Sequence, residues 1–101
     1  MTAPIGVDAP VVGTAAAVEA AGAGTMAGTT AGAAAPMCGT VGPGCEDASI
    51  EAGLGFAARG AETGALMAQL TTVRDLFAAT MASSGVAYEA TDALNQASLI
   101  I

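Results

Sequence analysis

Ten residues near the middle of the chain, Pro36-Met37-Cys38-Gly39-Thr40-Val41-Gly42-Pro43-Gly44-Cys45, constrain its fold more than any others. They gather two prolines and three glycines between two long stretches whose only prolines are Pro4 and Pro10. Before them, Asp8 is placed to cap a helix with Pro10 in its first turn, and Val11, Val18, Thr25 and Gly32 recur every seven residues. After them, Glu46 and Asp47 put negative charge where a helix N-terminus favours it. The pattern predicts an all-α, antiparallel two-helix hairpin with helices over about 8–35 and 46–95 and a turn over 36–45. A flexible N-terminus over 1–7 and a C-terminal tail over 96–101 complete it.

Such a hairpin has little with which to fill a core. Of 101 residues 53% are apolar but only 3% aromatic, and alanine supplies most of the apolar count, so burial per residue is small. The glycines Gly13, Gly22, Gly24, Gly28 and Gly32 each cost a helix about 1 kcal/mol relative to alanine. Their sum rivals the stability of a small domain. Gly24, Gly28 and Gly32, like Gly60 and Gly64, are spaced by four, as where helix backbones approach closely; a mere compositional bias accounts for them equally well. A fold about Val41 would set Gly24 level with Gly60.

The second helix carries more apolar surface than one partner helix can cover. Ile50, Leu54 and Ala61 lie on one side; Met67, Leu70, Phe77, Met81, Ser84 and Tyr88 form a stripe, with Leu66, Val73 and Thr80 on a neighbouring row. The surplus face calls for a second chain, and Ile50, Leu54, Met67, Leu70, Phe77 and Met81 are its expected contacts.

Charge excludes several functions. The net charge is -7, histidine and lysine are absent, and the only basic residues are Arg59 and Arg74. Nucleic acid is not a partner, for want of a basic footprint. Ser83 and Ser84, beside Tyr88, have no histidine or lysine to serve as base, so no catalytic residue is assigned and the chain is not expected to be an enzyme. No cofactor or metal site is expected either, since the acids are scattered. The uncharged span 20–45 is nearly all Ala, Gly and Thr, interrupted by Pro36 and Pro43, and argues against membrane insertion. The start of the chain lacks the cationic and apolar segments of a cleavable signal peptide.

Local pairs complete the inventory. Arg59 and Glu62 are three apart and form a solvated pair; Arg74 reads as solvated or as an interfacial cation, and Glu19 as a mark of the water-facing side of helix 1. Cys38 and Cys45 flank the turn, where a disulfide and two reduced thiols both fit the spacing. Tyr88 and Asp92 lie one helical turn apart. Both a pair read together by a receptor and an anchoring tyrosine beside a surface acid fit that spacing.

In order along the chain, Ala33-Ala34-Ala35-Pro36, then Gly42-Pro43-Gly44-Cys45-Glu46-Asp47-Ala48-Ser49, then Gly55-Phe56-Ala57-Ala58-Arg59-Gly60, then Tyr88-Glu89-Ala90-Thr91-Asp92 resemble the PE family of mycobacterial proteins. The resemblance covers nearly the whole chain. It departs from the family in having Asp8-Ala9-Pro10 where Pro-Glu is usual and in its turn cysteines. It implies a PE domain over 8–95, without appended domains, that forms half of a four-helix bundle in a heterodimer with a PPE protein. It further implies export by a type VII (ESX) secretion system to the cell surface or beyond, with Tyr88 and Asp92 as a Tyr-x-x-x-Asp export signal. The chain has no tryptophan, so the Trp-x-Gly half of that signal would come from the partner, and the cytosolic secretion chaperone would act through the PPE subunit. The alternative is a self-associating or membrane-active surface protein that uses the Gly24/Gly28/Gly32 face.

Overall fold

The structure, a computed structural model, describes residues 5–100. It consists of two α-helices, α1 over Ala9–Cys38 and α2 over Asp47–Leu99, joined by the loop 39–46. The all-α hairpin is the predicted fold, and no strand occurs among the described residues. Of the expected flexible N-terminus, residues 1–4 lie outside the described residues, as does Ile101 of the expected tail.

Both helix starts are held by local hydrogen bonds. The Asp8 carboxylate accepts from the amide of Val11 at 3.3 Å, and its carbonyl accepts from Val12 at 3.1 Å. At α2 the Glu46 carbonyl accepts from Ser49 and Ile50 at 3.0 and 3.1 Å, while the Ser49 hydroxyl donates to the Glu46 carboxylate. The two side chains thus tie the first turn of α2 together. Along the helices threonine hydroxyls fold back on carbonyls four residues earlier, as Thr30 does on Met26 at 2.9 Å and Thr71 on Met67 at 3.0 Å, which satisfies the hydroxyls at a slight cost to the helices.

The helix ends lie beyond their predicted positions. α1 runs through Pro36 to Cys38. Pro36 removes its own donor bond to Gly32 and crowds that carbonyl, but Gly32 is exposed, so water can satisfy the carbonyl, and the helix ends two residues later. Gly39 then donates to Ala35 at 2.8 Å and Thr40 Oγ1 to Met37 at 3.2 Å, closing the last turn. α2 continues past 95 to Leu99 because 93–99 contain neither glycine nor proline.

The chain divides into two compact units, one made of residues up to Gly22 with those from Arg74 onward, the other of Ala23–Val73. In the first, Gly85 lies against Val12 and Gly22 against Arg74, so the helices run antiparallel. Ala16 and Ala78 are buried between them. In the second, Gly60 lies against the carbonyl of Met37, and Gly42 of the loop lies on Ser49 and Gly53. The loop thus runs back along the start of α2, and α1 ends level with Gly60. The expected fold about Val41, with Gly24 level with Gly60, is not made. Gly24, Gly28 and Gly32 are exposed and face open space.

Small residues line the α2 side of the helix contact. Gly53, Ala57, Gly60, Gly64, Met67 and Thr71 are buried or half-buried in the second unit, as are Arg74, Ala78, Met81 and Gly85 in the first, in steps of three and four. Among the described residues the buried apolar side chains are only Ala16, Ala23 and Ala78. Backbones brought close by glycine and alanine leave no room between them for leucine or phenylalanine, which consequently point outward. No helix of the described residues is long and apolar enough to cross a membrane.

Candidate partner-binding surface

The six expected contacts do not form one surface. Met67 and Met81 are half-buried in the row that packs on α1, so their first role is within the chain. Leu70 and Phe77 are exposed and seven residues apart; Phe77 keeps 54% of its surface open. Phe56 continues their row toward the loop, and Leu66 and Val73, four residues before Leu70 and Phe77, widen it. Ile50 and Leu54 are exposed too, but their spacing puts them on roughly the opposite side of α2.

The band of Phe56, Leu66, Leu70, Val73 and Phe77 carries no acid in its two seven-residue rows, whereas Glu51, Glu62 and Asp75 occupy other rows of α2. Leu76 is a further exposed apolar residue that the stripe pattern missed. It stands outside both rows, beside Phe77, and no period marked it.

Two polar contacts change the reading of the charged residues. Arg59 pairs with Glu62 at 3.3 Å with both side chains largely in water, as the spacing predicts. Arg74 instead donates from Nε to Glu19 Oε2 at 2.8 Å across the hairpin, with both side chains about two-thirds buried at 35% and 30% exposure. Glu19 is therefore not a mark of the water-facing side, nor is Arg74 merely solvated. Their separation of 55 positions hid the pair from any local pattern.

Tyr88 and Asp92 extend the row Ala78, Met81, Gly85 by one step of three and one of four. They share the α2 face that packs on α1, but Gly85 already lies beside Ala9, the first residue of α1. The helix that covers the row ends there, and both residues are exposed, Tyr88 at 51%. Tyr88 borders a shallow depression with Ser84, Ala87 and Thr91. Asp92 borders a separate groove, with Glu89 and Gln96 on one wall and Gly6 to Pro10 on the other, which gathers the carboxylates of Asp8, Glu89 and Asp92. No group of side chains suited to hold a metal ion occurs among the described residues.

Cys38 and Cys45 are exposed, free thiols, at the end of α1 and in the loop. Beside them, the Glu46 carboxyl is held below its ordinary value, first by the Ser49 hydroxyl and then by its own backbone amide.

Comparison with known proteins places these features in a family. No curated protein and no solved structure matches the chain. The model of the PE family matches residues 6–95, which takes in α1, the loop and α2 up to Asn95, the Tyr88–Asp92 segment included. The chain belongs to the PE family.

Proposed function

We propose that this PE protein is the non-enzymatic subunit of a heterodimer with a PPE protein, exported by a type VII (ESX) system to the cell surface or medium, and that Tyr88 and Asp92 are its share of the export signal. In general the family consists of non-enzymatic proteins secreted by type VII systems together with PPE proteins.

The observation that carries the pairing is the mismatch between core and surface. Among the described residues the buried apolar side chains are three alanines, while Phe56, Leu66, Leu70, Val73 and Phe77 stay exposed on an acid-free band. Covering the part of each of those five that stays open contributes roughly 1–2 kcal/mol, together comparable to the entire stability of a small domain. A pair of partner helices laid along the band completes a four-helix bundle. The export role rests on Tyr88 and Asp92 being accessible where α1 no longer covers their row.

Expression of the chain with and without a PPE partner tests the pairing. Circular dichroism should show a weakly folded chain alone and a cooperative helical complex when the two are made together. A stable, cooperatively unfolding monomer would remove the basis for an obligate partner.

A further inference from the structure

In the unit formed by residues up to Gly22 and from Arg74 onward, the helix contact consists of alanine, glycine, valine and methionine apart from one charged pair. Side chains so small and so similar discriminate poorly between helix registers, because a shift of two turns replaces one alanine by another. The pair is different. Glu19 is the only charged residue of α1, and Arg74 Nε reaches it at 2.8 Å.

Gly22, one turn after Glu19, completes the arrangement. The Arg74 guanidinium lies where a Cβ on Gly22 would stand, so any larger residue would displace it. Sliding α1 by seven residues would bring Ala15 or Thr29 beneath the guanidinium and Val12 or Met26 to the place of the carboxylate. Neither alternative offers both the space and the charge.

We propose that the Glu19–Arg74 pair, seated on Gly22, selects the helix register of this unit and thereby decides which residues at the start of the chain lie opposite Glu89 and Asp92. A half-buried ion pair gains little net stability over an apolar contact, but a mismatched one leaves a charge uncompensated, so it acts against wrong registers more than it strengthens the right one. The role concerns pairing within the chain and stands whether or not the proposed partner and export route are correct.

Thiol cross-linking in the full chain tests it. In a background of Cys38→Ser and Cys45→Ser, Val12→Cys is combined with Gly85→Cys to report the observed register, since a Cβ at 85 lies 3.6 Å from that of Val12. Val12→Cys with Ala78→Cys reports a shift of seven. A short bifunctional thiol reagent is applied to the producing cells. The parent should join only the first pair, and Arg74→Ala or Glu19→Ala should raise the second product severalfold at the expense of the first. Gly22→Ala keeps both charges and favours helix, yet should raise the shifted product too, while Glu19→Arg with Arg74→Glu should restore the first. The proposal is overturned if the single variants cross-link as the parent does or if Gly22→Ala strengthens the native product. Loss of both products that the charge reversal does not restore would overturn it as well.

Discussion

The backbone carbonyl of Met37 and the α-carbon of Gly60 meet so closely that no methyl group fits between them. Gly60→Ala therefore forces the helices apart, at a cost of about 1–3 kcal/mol that outweighs the gain in helix propensity of about 1 kcal/mol. Gly24, Gly28 and Gly32 have nothing within 4 Å, and alanine at each should raise stability by roughly 0.5–1 kcal/mol in the isolated chain. Thermal unfolding followed by circular dichroism should thus give opposite signs. Equal signs at Gly60 and Gly28 would show that helix contact does not govern the first.

Phe77→Glu or Leu70→Glu should abolish co-purification with the partner, because a carboxylate in the covered band would be buried unpaired, which costs several kcal/mol. Leu54→Glu, on the other side of α2, should leave co-purification nearly unchanged. Loss of binding with Leu54→Glu and retention with Phe77→Glu would place the interface on the opposite flank.

Tyr88→Ala should hold the protein in the cell while leaving heterodimer formation intact. Its ring is half exposed, beyond the part of the row that α1 covers, so the change in fold stability should stay within about 0.5–1 kcal/mol. Asp92→Ala should act in the same direction. Immunoblots of culture filtrate and cell lysate read the outcome, and normal export of both variants would exclude the motif.

The cap at Glu46 carries a pH signature. Its carboxyl has a lowered pKa in the folded chain, so its contribution to stability is present above the ordinary value of 4.5 and fades as the pH falls through the lower folded value. Ser49→Ala removes the largest cause and should return the carboxyl toward 4.5, as NMR titration of the Glu46 side chain would record. Full exposure of the carboxylate to solvent keeps the accompanying change in stability small.

Exposed thiols at 38 and 45 bracket a loop containing Gly39, Gly42 and Gly44. Exchange with a small disulfide reagent should join them within one chain, releasing the reagent as two thiols and leaving the protein lighter by the two thiol hydrogens. In the chain-entropy account closing so short a loop contributes about 2.5 kcal/mol. Mass spectrometry that found only reagent adducts or linked dimers would exclude the intrachain bond.

Much of this was legible one segment at a time. The Asp8 cap, the breakers near residue 40 and the Arg59–Glu62 pair each depend on groups within a few residues, and the structure holds each of them. Tyr88 and Asp92 were legible as neighbours one turn apart for the same reason. Pro36 misled because proline is read as a stop, although near a helix end it removes a single bond. Met67 and Met81 are half-buried against α1, and apolar periodicity shows that a face is covered but not by what.

By itself, then, the amino-acid sequence determined two helices, their caps, an apolar surplus on the second, and the family, since helix formation and motif spacing are short-range properties. The tertiary structure decided that glycine and alanine face inward while leucine and phenylalanine face out, that Met37 rather than Gly24 meets Gly60, and that Glu19 meets Arg74. Those choices depend on the path of the loop and on how closely two backbones approach, which are set only when residues far apart in the chain compete for the same space.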